Sequence, residues 1–135
     1  HHLVRLKVFP WNPQTITVGD WMIHEGLAES FAACMYGDDI VGKYVTAFED
    51  SELATAQSLL ADSLDKTGFD TLRGYVFGDP MADHYGFEKV GMPLFGGYAI
   101  GYRVVRAYLD RSGCSIEEAT FKPSEEIIES SGFFA

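Results

Sequence analysis

Between Gly19 and Met35 apolar residues occupy most of the helical circumference: Trp21, Met22, Ile23, Leu27, Ala28, Phe31, Ala32 and Met35. A helix that leaves so little polar surface belongs inside the molecule. Thr17-Val-Gly-Asp20 matches a capping box and opens it, and Gly37 is placed to end it. Ahead of it, His1 to Val8 reads as the end of a helix, stopped by Pro10 and Pro13, with residues 10–17 as a loop. A second amphipathic run, Ser51 to Leu64, puts Leu53, Ala56, Leu60 and Leu64 on one face, with Ser51 as its N-cap and Gly68 beyond its end. Ile40-Val41 and Tyr44-Val45, within 38–50, fit a short strand or a helical turn. Residues 69–91 carry five Gly or Pro breaks and read as irregular structure with short helical pieces. Pro93 is expected to start a long helix to about Leu109 or Asp110, with Ile100, Val104, Ala107 and Tyr108 as its buried stripe. Ser115-Ile-Glu-Glu118 is another capping box, and Pro123-Ser124 opens a last short helix. The pattern predicts one mainly α domain over 1–135.

Three glycines inside the expected long helix, Gly96, Gly97 and Gly101, cost about 1 kcal/mol each relative to Ala. They mark close approach of another backbone or of a ligand. Gly26, beside Glu25 on the buried helix, likewise removes a side chain where a second helix can pack.

The 135 residues carry 20 acidic and 10 basic side chains, a net charge of −10. Such a chain repels a phosphate backbone, which argues against nucleic-acid binding. Arg103, Arg106 and Arg111 fall on the polar side and end of one helix, not in a basic patch, and no polybasic membrane motif is present. No run of 18 apolar residues spans a bilayer. Cys34 and Cys114 lie far apart, form no C-x-x-C, and read as buried thiols of a reduced protein.

The buried helix carries polar residues that need an account. Glu25 and Glu29 are i, i+4, so both carboxylates leave one face. Two like charges there cost energy unless a cation faces them: an arginine such as Arg103 or Arg106, a protonated histidine, or a metal. His2, on the preceding helix, is within reach of the same point. Imidazole nitrogen and carboxylate oxygen both bind Zn²⁺ near 2 Å. His24 lies about 100° around the helix from Glu25 and reads as a satisfied core histidine.

His-His-Leu-Val-Arg-Leu at 1–6, His-Glu-Gly-Leu-Ala-Glu at 24–29 and Met-Pro-Leu-Phe-Gly-Gly-Tyr-Ala-Ile-Gly-Tyr-Arg-Val-Val at 92–105 follow one another in that order. Together they resemble the YjaZ-like family of predicted zinc-dependent proteases, of the gluzincin type. The active-site helix of that family carries H-E-x-H-H, a form of H-E-x-x-H, and its last two histidines resemble His1 and His2. E-G-L-A-E and a G-Y-x-I-G-Y helix follow. The resemblance implies the helical, C-terminal part of a zincin-like domain, in a chain that starts inside the H-E-x-x-H helix.

The resemblance further implies Zn²⁺ as cofactor, with His2 as the second zinc histidine and Glu25 as the glutamate ligand. Glu29 would be a carboxylate that orients a ligating histidine. The implied reaction is hydrolysis of a peptide or protein substrate by zinc-activated water, with a glutamate taking the proton. That glutamate and the first histidine precede His1 in the family's motif, so the 135 residues alone are expected to be inactive. For the developing oxyanion the expected donor is Tyr98, flanked by glycines, then Tyr102 and His84. The implied setting is a cytoplasmic, bacterial-type peptidase acting neither on nucleic acid nor at a membrane. The competing reading is a helical binding or regulatory module that keeps the fold without the chemistry.

Overall fold

The computed structural model describes residues 1–135 and contains helices, turns and no strand; a lone antiparallel bridge joins Thr17 to Thr67. The helices are α1 (His2–Val8), α2 (Val18–Tyr36), α3 (Lys43–Thr46), α4 (Asp50–Ala61), α5 (Phe69–Phe77), α6 (Ala82–Tyr85), α7 (Gly96–Ser112), α8 (Ile116–Ala119) and α9 (Ser124–Ser131). Asp38–Ile40 and Asp79–Met81 form 3-10 turns.

The central pair is α2 and α7. Helix α9 packs on both, while α4 and α5 pack on α7. Met22, Ile23 and Leu27 of α2 and Ile100 and Val104 of α7 are almost entirely buried in one core with Leu60, Leu72 and Ile127. The apolar circumference of α2 therefore has the expected cause, burial on several sides. Its last turn departs from that pattern, because Met35 and Tyr36 are exposed.

The close approach signalled by glycine lies at this central crossing. A Cβ on Gly26 would strike the Gly101 carbonyl, and a Cβ on Gly101 would strike the Met22 carbonyl oxygen. A Cβ on Gly97 would come within 2.6 Å of the Val76 Cα, so α5 is equally close to α7.

Both capping boxes form. The Thr17 hydroxyl accepts from the Asp20 N–H, and the Asp20 carboxylate accepts from the Thr17 N–H. Ser115 and Glu118 do the same at α8.

Several boundaries differ from expectation. Helix α7 starts at Gly96 rather than Pro93, because the preceding segment is tied to the end of α5. The Phe95 N–H donates to the Phe77 carbonyl at 2.7 Å, and the Asp79 N–H donates to the Met92 carbonyl at 2.9 Å. Phe95 takes a left-handed φ of 55° at the junction. Residues 69–91, expected as irregular structure with short helical pieces, contain a nine-residue helix at Phe69–Phe77, which accommodates Gly74 where a Cβ would stand 3.0 Å from the Glu88 carbonyl oxygen. Helix α4 begins at Asp50, with Glu49 at its N-cap; the Glu52 carboxylate accepts from the Glu49 N–H, and the helix ends before Leu64. The ambiguous stretch 38–50 resolves to helical turns. The cysteines are free but not core residues: Cys34 is exposed and Cys114 half-buried.

Helix α1 is fastened by one side chain. Arg5 is 3% exposed, and its Nη1 donates to the Thr120 and Lys122 carbonyls, both at 2.9 Å. Its Nη2 donates to the Ser124 hydroxyl at 3.1 Å. Burial pulls its guanidinium down to about 10, which leaves it charged at neutral pH. Three acceptors thus compensate a buried cation and hold α1, with its histidines, against the C-terminal helices.

Candidate metal centre

Two helices bring His2 and Glu25 together. The Nε2 of His2, on the first turn of α1, stands 3.6 Å from Oε2 of Glu25 in the middle of α2. The His2 side chain is half exposed and that of Glu25 mostly buried. Two ligand atoms each about 2 Å from a tetrahedral zinc stand roughly 3.3 Å apart. The pair is therefore spaced to share an ion with little movement.

The other oxygen of Glu25 is already committed. Trp21, one turn earlier on α2, donates from Nε1 to Oε1 at 3.1 Å. An indole donor at i−4 fixes the carboxylate's rotation and leaves Oε2 facing His2. The indole itself is held edge-on by Trp11 at 5.1 Å and stacks with Phe69 at 5.9 Å. Trp21 reads in the sequence as core and nothing more; only the i, i+4 spacing from Glu25 hints at this bond.

Three imidazoles crowd this end of the molecule. His24 stacks on His2 with ring centroids 4.0 Å apart and planes 8° from parallel. His1 lies edge-on to His2 at 5.5 Å and 6.0 Å from His24. Both ring nitrogens of His1 are buried without a hydrogen-bond partner. Burial, and then the neighbouring His2, pull the His24 imidazole down to about 4, so it is neutral at pH 7.

The donor set fits zinc in type and in spacing: an imidazole and a carboxylate converge, with a further imidazole left unpartnered beside them. No group of three or more His, Cys, Asp or Glu side chains converges in the structure. His2 and Glu25 would thus supply two positions of a coordination sphere, not a closed one.

Glu29 faces a different partner from the one expected. It accepts a short hydrogen bond from the Tyr44 hydroxyl. Tyr44 is carried by α3, which is pinned to α7 by its fully buried neighbour Val45 and by an Arg103 Nη1 bond to the Val45 carbonyl at 2.9 Å. Burial, and then the bond to Glu29, push the Tyr44 phenol up to about 12. Nothing in the local sequence signals this contact, because only tertiary packing brings Tyr44 to Glu29.

Tyr98, on the first turn of α7, completes this side. Its ring meets Tyr44 at 5.9 Å, Phe95 at 5.7 Å and Phe77 at 6.1 Å. Burial, followed by the Glu25 carboxylate, holds its phenol well above the ordinary value, so it stays a neutral donor. The φ of Phe95 is sparsely populated for a residue with a Cβ, and it sets the start of the helix that carries Tyr98.

Tyr102, like Tyr98, packs against the small cluster of Ala33, Val41 and Val45. His84 is exposed and lies edge-on to Tyr85. Neither arginine proposed as a partner for the carboxylates meets them: Arg103 bonds the Val45 and Ala99 carbonyls, and Arg106 reaches Cys34. The side chain opposite Glu25 is the His2 imidazole.

The family described as "Predicted Zn-dependent protease (DUF2268)" matches residues 1–129, and the chain belongs to it. The chain is 36% identical over all its 135 residues to "Uncharacterized protein YjfC" of Bacillus subtilis (strain 168). It spans 45% of the length of that relative. No solved structure gives a significant match. No helix is long and apolar enough to cross a membrane.

Proposed function

We propose that this member of the predicted zinc-dependent protease family contributes to a zinc metallopeptidase centre, with His2 and Glu25 as ligands and Tyr98 as a hydrogen-bond donor to the reacting carbonyl. The observation that carries the reading is the 3.6 Å approach of His2 Nε2 to Glu25 Oε2 from two separate helices. The family description supports it.

Zinc, when bound, supplies Lewis acidity toward a peptide carbonyl. The chain's own residues do the rest of what can be derived. Trp21 holds Glu25 by one oxygen and leaves the other free to ligate. The neutral phenol of Tyr98 offers its proton where oxyanion charge develops, without needing to ionise. Tyr44 holds Glu29 and so keeps a second carboxylate compensated beside the first.

The test is peptide hydrolysis by the full-length protein that contains this chain. Glu25→Ala is expected to abolish hydrolysis. Tyr98→Phe is expected to lower kcat by about 10²–10³, the usual effect of losing one oxyanion donor, with little change in KM. Hydrolysis that survives Glu25→Ala would refute the ligand assignment. A folded, zinc-free full-length protein without activity would favour the binding-module reading instead.

A further inference from the structure

We propose that His24 is a positioning residue for His2: its imidazole is the flat support that fixes the orientation of the His2 ring toward Glu25. The inference rests on the zinc-site reading above and adds to it a residue that is not itself a ligand.

His24 is 8% exposed and, unlike those of His1, its ring nitrogens are not among the buried polar atoms left without a partner. Its ring makes a near-parallel face-to-face contact with His2, at 4.0 Å and 8°. His24 also lines a cavity of about 390 Å³ with Arg5, Trp11 and Asp20.

The placement explains why one segment serves two purposes. His24 and Glu25 are adjacent on α2, so their side chains leave the helix about 100° apart. One meets the face of the His2 ring, and the other meets its Nε2 edge at 3.6 Å. A ring held on its face and read at its edge has one orientation. Without the support, His2 is half exposed on the first turn of a seven-residue helix that has no side-chain cap. Its χ angles would then be free to turn Nε2 toward solvent.

The experiment uses the full-length protein with His24→Phe and His24→Leu. Both fill the position with an apolar side chain, but only Phe keeps a flat ring. Zinc affinity is read by competition with a chromophoric chelator. Order of the His2 ring is read from carbon relaxation of ¹³C-labelled histidine in chelator-treated protein. His24→Phe is expected to keep zinc affinity within about twofold, and His24→Leu to weaken it roughly tenfold or more, the scale on which supporting groups act. The metal-free His2 ring should stay rigid in His24→Phe and become mobile in His24→Leu. Equal zinc affinities in the two variants, or equal ring order, overturn the proposal. If the parent binds no zinc, the zinc-site reading fails, and ring order alone still decides whether His24 positions His2.

Discussion

The crossing of α2 and α7 is the contact on which the candidate site depends, and Gly101→Ala is the sharpest way to disturb it. Helix propensity alone favours the substitution by about 1 kcal/mol. The new methyl, however, would fall on the Met22 carbonyl oxygen, with the Met22 carbonyl carbon and Cγ both at 3.1 Å. A backbone oxygen inside a helix cannot rotate away, so the two helices must part by roughly 1 Å to restore van der Waals contact. Overpacking of this kind costs about 1–3 kcal/mol, and the upper end applies where backbone meets backbone. The net expectation is a loss of about 2 kcal/mol. For a domain of this size that lowers Tm by roughly 8 °C. Thermal unfolding followed by circular dichroism measures it. Gly26→Ala strikes the same crossing from the other side, since its Cβ would meet the Gly101 carbonyl. The double variant should therefore lose clearly less than the two single losses added, because one separation relieves both clashes. Parting these helices also moves Tyr98 away from Glu25, and a displacement of about 1 Å commonly lowers catalysis about 10²-fold. An unchanged or raised Tm in Gly101→Ala, or strict additivity in the pair, would refute the packing argument.

Other predictions follow from single contacts. Arg5→Met removes a buried cation and strands the Thr120 and Lys122 carbonyls; urea unfolding should show a loss of about 1–3 kcal/mol, the scale for leaving buried acceptors without a donor. Tyr44→Phe should remove the phenol that ionises near pH 12 from an ultraviolet titration and leave the fold intact. Because burial and Glu29 raise that folded pKa above its unfolded value near 10, its contribution to stability is present below pH 10 and lost as pH rises toward 12. The parent should therefore lose more stability than Tyr44→Phe across that window. Trp21→Phe keeps the ring but removes the donor to Glu25, so zinc affinity should fall about tenfold while Tm moves little.

Much of this arrangement is legible in the sequence, and the parts that are not share a cause. The course of α2, its capping box and its Gly37 end follow from local chemistry. Gly26 and Gly101 announce the helix crossing because a missing side chain is itself a signal. The start of α7 was misplaced because Pro93 is a good first-turn residue locally. Backbone bonds from Phe95 to Phe77 and from Asp79 to Met92 override that preference. The helix at Phe69–Phe77 was hidden by Gly74, whose lack of a side chain answers to the Glu88 backbone rather than to the helix itself.

Of the proposed site residues, His2 and Glu25 are legible through the family resemblance, and Tyr98 through its flanking glycines. Tyr44 is not, because fifteen residues separate it from Glu29 and only the packing of Val45 closes the gap. His24 is buried, as a core histidine is expected to be, and its ring stacks on that of His2, a contact the sequence does not signal.

The central claim is that His2 and Glu25 hold one zinc ion between them. Zinc stoichiometry and affinity of the full-length protein, compared with His2→Ala and Glu25→Ala, test it directly. The account predicts one zinc per chain in the parent and at least a tenfold loss of affinity in each variant, with both variants still folded. Zinc bound equally well by all three proteins would place the ion elsewhere and contradict the account.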